Sequence, residues 1–117
     1  MWTRKDVIEH AMRRIGVLAS DEPAQAEDYR DASSILDALT DELQAIHGIE
    51  IDPDEVSGAA RMPLARLLSV ELAMSYDVAP RDIREAMIGR LRAIYYPDDR
   101  KAPESSVPSD GYGEWGW

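Results

Sequence analysis

Apolar residues recur at steps of three and four through residues 4–94, and glycines or prolines divide the pattern into four stretches. Thr3 and Asp6 have the spacing of a capping box, with Asp in place of the usual Glu. Val7, Ile8, Ala11, Met12 and Ile15 then share one face up to Gly16. A first helix over 4–15 is predicted. After a short loop, Pro23 suits the first turn of a second helix, in which Tyr29, Ala32, Leu36, Leu39, Leu43 and Ile46 form a stripe widened by Ile35. That helix runs over 23–47 and stops at Gly48.

Residues 48–62 mix Ile, Asp, Pro and Gly and read as a loop with a short extended piece at 49–51. Pro63 opens a third helix over 63–77, whose Leu64, Leu67, Leu68, Val70, Leu72, Ala73 and Met74 cover most of its circumference. A helix apolar nearly all round has to be surrounded, by its own chain or by neighbouring subunits. It is therefore the expected central helix and a first sign of an oligomer. Asp77-Val78-Ala79-Pro80 breaks the chain, and a fourth helix starting at Pro80 puts Ile83, Met87, Leu91 and Ile94 on one face before Tyr95-Tyr96-Pro97 ends it. The predicted fold is all-α: a four-helix bundle over 1–96 with an extended C-terminal arm over 97–117.

The arm changes the picture most. Pro97, Pro103, Pro108, Gly111, Gly113, Gly116 and a pair of serines deny it a helix or a core of its own, yet it ends in Tyr112, Trp115 and Trp117. Large aromatic rings are costly to leave in water, so the segment is expected to dock on a host surface. Ring burial alone offsets only part of the entropy of ordering the whole segment, so a stable dock orders its last residues or adds main-chain hydrogen bonds along a groove.

Composition narrows the partners. The 117 residues support one modest domain, built without Phe from Leu, Ile, Val, Met and Ala. Cys is absent, which rules out disulfides and thiolate metal sites and fits a reducing cytoplasm. No signal peptide or long apolar run is evident, so no membrane partner is expected. The net charge of -10 is uneven: residues 1–60 hold 5 basic and 14 acidic side chains, residues 61–117 hold 8 and 9. Direct binding to nucleic acid requires a basic footprint that the chain lacks as a whole. Arg81, Arg84, Arg90 and Arg92 form a local basic stretch, interrupted by Asp82 and Glu85, that also reads as a solvated or salt-bridged helix face.

Catalytic chemistry finds little footing. His10 and His47 lie on different helices without cysteine partners, and isolated histidines are usually surface or core-edge residues. Asp52, Asp54 and Gly58 suggest a calcium loop, but EF-hand spacing would place the glycine at Ser57 and the bidentate glutamate at Pro63. Adjacent carboxylates such as Asp21-Glu22 and Asp41-Glu42 arise readily in so acidic a chain, and a glycosidase would need a cleft that small bundles rarely supply. Ser33-Ser34 and Ser105-Ser106 have no histidine nearby in sequence, and there is no glycine-rich phosphate loop. No enzyme, cofactor or metal is expected. A helix-turn-helix reading of the third and fourth helices has the short turn and the arginines in its favour. The acidic first half, and Pro80 where glycine is more usual, count against it.

The segment EHAMRRIGVLASDEPAQAEDYRDASSILDALTDELQA, followed by LARLLSVELAMSYDV, resembles the head-to-tail connector or adaptor proteins of tailed bacteriophages, which dock beneath the portal. The likeness rests on Arg14-Ile15-Gly16-Val17 closing the first helix, on the second-helix pattern from Ala32 to Leu43, and on the third-helix ending from Leu72 to Tyr76. It covers residues 5–94. The resemblance implies a structural virion protein of the neck, made in the bacterial host cytoplasm. It also implies a homo-oligomeric ring of twelve that continues the portal channel and carries tail, nozzle or stopper proteins. DNA would pass through without sequence-specific binding, repelled by an acidic wall. By the same resemblance Val107, Tyr112, Trp115 and Trp117 would clasp the portal protein, and Arg81, Arg84, Arg90 and Arg92 would supply one of two unlike faces between subunits. The alternative is a non-viral helical interaction module, such as a bacterial regulator, with a disordered aromatic binding tail.

Overall fold

Thr3 starts the first helix as its spacing requires. In the computed structural model, which describes residues 1–97, the Thr3 hydroxyl accepts from the Asp6 backbone N–H at 3.3 Å and the Asp6 carboxylate accepts from the Thr3 N–H at 3.0 Å. This completes the capping box of α1 (Arg4–Arg14). Three more α-helices follow: α2 (Ala26–His47), α3 (Arg61–Ser75) and α4 (Arg84–Tyr95), with a single 3-10 turn at Gly58–Ala60 leading into α3. Gly48 ends α2 in the left-handed region (φ 67), where its N–H and that of Ile49 close onto the carbonyls of Gln44 and Leu43.

The described fold is all-α, and α3 is its centre. It packs against α1, α2 and α4, most extensively against α1, and buries Leu64, Leu67, Leu68 and Leu72 almost completely. Ile8 and Met12 of α1, Leu36 and Leu43 of α2 and Leu91 of α4 meet them in one continuous core. The stripe read along α2 is buried at Ala32, Leu36, Leu39 and Leu43, and half-buried at Tyr29 and Ile35.

Several boundaries differ from the sequence reading, each for a tertiary reason. Pro23 does not open α2, which begins at Ala26. The Glu9 carboxylate accepts from the Ala24 N–H at 3.1 Å, and Arg13 donates to the carbonyls of Ala19 and Glu22, so the preceding loop is tied to α1 instead of entering the helix. Pro80 does not open α4, which begins at Arg84. Asp82 is drawn onto Arg14 through two hydrogen bonds of 2.9 and 3.0 Å, and Ile83 stays extended as the residue before the helix. In α3, Pro63 lies in the first turn and not at its start. Its missing N–H is harmless there, because the N–H groups of a first turn have no partner within the helix.

The loop between α2 and α3 forms no extended pairing at 49–51. The chain pairs instead at Trp2 and Val56, which exchange backbone hydrogen bonds of 2.7 and 2.9 Å, while Ile49 is fully buried. Arg4 fastens the same region: its guanidinium reaches Asp37 and Ser33 on α2 and Asp54 in the loop, each at 2.8 Å. One residue thus joins three segments.

Candidate functional site

The four arginines expected to form one face are placed in different surroundings. Arg84, at the start of α4, donates to Glu42 of α2 and to Glu71 of α3, the latter at 3.1 Å, so its charge is used within the chain. Hydrogen bonds to Glu42 and then Glu71 hold its pKa above the usual arginine value. Arg90 and Arg92 are exposed on α4, two positions apart and hence on different sides of that helix, with an Arg90 nitrogen 4.0 Å from the Met87 sulfur. Arg81 is exposed and sits elsewhere, before α4.

Arg81 belongs to a basic cleft that the spacing of its residues did not reveal. Arg13, Arg14 and His10 from α1, Met62 from α3 and Arg81 line a depression of about 350 Å³. Arg66 of α3 adds its charge from close by, and its Nε is buried without a hydrogen-bond partner among the described residues. Burial and then the charges of Arg66, Arg14 and Arg13 push the His10 imidazole below its ordinary pKa. His10 also packs its ring on Trp2, with centroids 5.0 Å apart, and Arg61 lies over the other indole contact at 5.6 Å. It is a core-edge histidine.

A hollow of opposite character lies between α2 and α3. Asp28 and Asp31 flank Ile35, Leu72, Ser75 and Tyr76 around about 500 Å³. Burial raises the Tyr76 phenol pKa, and the carboxylates of Asp28 and Asp31 raise it further. Another depression, about 640 Å³, is walled by Lys5, Glu9, Tyr29 and Arg30. Ser33 lines it as well, but the Ser33 hydroxyl accepts from Arg4.

The most exposed large apolar side chains of the predicted stripes are Met74 at 72%, Ile83 at 68% and Ile46 at 67%. Ala59, Ala86, Gly89, Arg90, Ala93 and Ile94 line a shallow groove along α4. After α4, the Tyr96 hydroxyl donates to the Gly48 carbonyl at the end of α2. Val107, Tyr112, Trp115 and Trp117, the expected clasp, lie outside the described residues.

Compared with protein families, curated proteins and solved structures, the chain matches none of them. Its geometry has to carry the functional reading. Among the described residues no three histidine or carboxylate groups converge to hold a metal ion, and no helix is long and apolar enough to cross a membrane. What the described bundle offers is surface: a basic cleft, an acidic hollow and exposed apolar side chains.

Proposed function

We propose that the protein is a ring-forming adaptor of a tailed-phage neck, a structural subunit that docks below the portal, continues the DNA channel and carries the tail components. The observation that carries this reading is the exposure of Ile46, Met74 and Ile83 on a bundle whose core is otherwise closed. These side chains belong to the apolar pattern and offer contact area to a neighbouring subunit. The groove on α4, where Ala86, Gly89 and Ala93 lie beside Arg90 and Ile94, gives such a neighbour both close approach and a charge to meet.

The exit of the chain supports the same reading. Tyr96 is tied to α2, so residues 97–117 start from a fixed point on the bundle, and fully extended they reach on the order of 70 Å. The terminal aromatics can therefore engage a partner far from their own bundle. Repetition around a ring makes modest contacts durable, because each arm binds at the high local concentration set by the others.

The test is native mass spectrometry of the full chain, and of a chain ending at residue 96, mixed with candidate portal rings. The full chain is expected to load in stoichiometric multiples and the truncated chain to stay folded but fail to remain attached. Full attachment by the truncated chain would refute the arm, and absence of loading by the full chain on every portal ring would refute the adaptor.

A further inference from the structure

The bundle carries two charged depressions of opposite sign on different elements. The basic cleft is lined from α1, α3 and the segment before α4, with no contribution from α2, whereas the carboxylates of the acidic hollow both come from α2. Two of the cleft's cations are already engaged: Arg13 faces Glu9 at 3.5 Å and Arg14 is held by Asp82. Arg66 and Arg81 make no ion pair among the described residues, and the Arg66 Nε is buried with its proton unmatched. Asp82, held by Arg14, is the carboxylate that Arg66 and Arg81 share, so the cleft keeps an excess of positive charge. On the opposite side of the account, Asp28 and Asp31 also lack an ion pair among the described residues, and they crowd the same phenol.

We infer that the basic cleft of one copy receives the Asp28 and Asp31 edge of α2 from the next copy, a head-to-tail contact in which Arg81 and Arg66 meet carboxylates. Because the two patches are different surfaces of one molecule, each copy can give one and receive the other, and such a heterologous contact closes into a ring when the rotation allows. Met62 at the cleft and Ile35 and Leu72 in the hollow supply apolar contact beneath the charges. The charge pairs would set orientation and reject the same-sign approaches of cleft to cleft or hollow to hollow. This deepens the ring reading and rests on it.

Arg81 and Asp31 are both exposed, so replacing them leaves the core untouched. Sedimentation velocity of the full chain at low salt should detect self-association that high salt weakens. Arg81→Glu and Asp31→Arg should each weaken it by about tenfold or more, and the chain carrying both changes should recover most of the loss. Circular-dichroism melts of all three variants should match the wild type, so that any lost association is not lost folding. Single variants that associate like the wild type, a double variant that recovers nothing, or a wild-type chain that stays monomeric at every concentration would overturn the contact. So would an Arg81→Glu variant whose sole defect is weaker retention of duplex DNA. Loading onto portal rings separates the two ideas: if Arg81→Glu loads as cooperatively as the wild type, this contact fails while the adaptor stands.

Discussion

The Tyr96 hydroxyl donates to the carbonyl of Gly48, joining the residue after α4 to the residue that ends α2. Gly48 serves this contact twice. Its left-handed backbone turns the carbonyl outward, and its missing side chain leaves room for the phenol: a Cβ there would sit 3.1 Å from the Tyr96 oxygen.

Gly48→Ala should therefore destabilise the bundle by about 1–2 kcal/mol from the left-handed backbone, with the crowding of Tyr96 added. Tyr96→Phe should cost about 0.5–1 kcal/mol, since the hydrogen bond is partly exposed. In the Tyr96→Phe background the crowding atom is gone, so the penalty of Gly48→Ala should fall by about 0.5 kcal/mol or more. Urea unfolding of the four chains measures this coupling. Strict additivity would mean that the two residues do not touch in solution.

Asp82 gives the fold a dependence on acid. Its side chain is well buried, and the Arg14 guanidinium holds its carboxyl below the usual carboxylate range. A depressed folded-state pKa contributes stability that is complete above the unfolded value and disappears as pH falls through the folded one. Asp82→Asn should cost about 1–3 kcal/mol at neutral pH. The gap between wild type and variant should hold down to about pH 4 and close below it. Urea midpoints across that range supply the check, and a gap that persists in strong acid would contradict the pairing.

Arg84 should behave as a structural residue. Because it bridges Glu42 and Glu71 inside one chain, Arg84→Ala should lower stability by about 1–2 kcal/mol, partial exposure keeping the value modest. Self-association should change little. Parallel thermal melts and sedimentation runs distinguish this from an intersubunit role, in which association would fall and stability would hold.

Much of the fold was legible because local chemistry and tertiary packing agree along most of the chain. Thr3 and Asp6 announced α1, Gly48 announced the end of α2, and the leucines of α3 announced a helix surrounded by others. The reading failed where a distant side chain decides the backbone. Pro23 and Pro80 both have the form of helix starts, but Glu9 and Arg13 of the preceding helix hold the first loop, and Arg14 holds Asp82 from far away in sequence. The basic cleft was hidden for the same reason. His10, Arg13, Arg14, Arg66 and Arg81 come from three separate segments, so no single window holds more than two of the cleft's arginines. The Arg81 to Arg92 stretch did look basic, yet its members are scattered and Arg84 is neutralised. One available clue was the i, i+4 spacing of His10 and Arg14 opposite Met62 and Arg66, which marks facing positions on two packed helices.

Truncating the centre of the bundle should be severe. Leu68 is fully buried on α3, and Leu68→Ala should cost about 3–5 kcal/mol, a large share of the stability of a domain this size. Met74→Ala, on the exposed side of the same helix, should cost less than about 0.5 kcal/mol in the free chain. Chemical denaturation of both variants tests whether α3 is open to solvent at Met74 while closed at Leu68.

The dominant packing of α1 on α3 also constrains how the protein is born. On the ribosome α1 and α2 emerge first, and their mutual contact is the smaller one, so the apolar face of α1 waits for a partner still unsynthesised. Collapse becomes worthwhile only once α3 has cleared the exit tunnel. An amino-terminal fragment released before then would expose Ile8 and Met12 and become a substrate for chaperones or proteases.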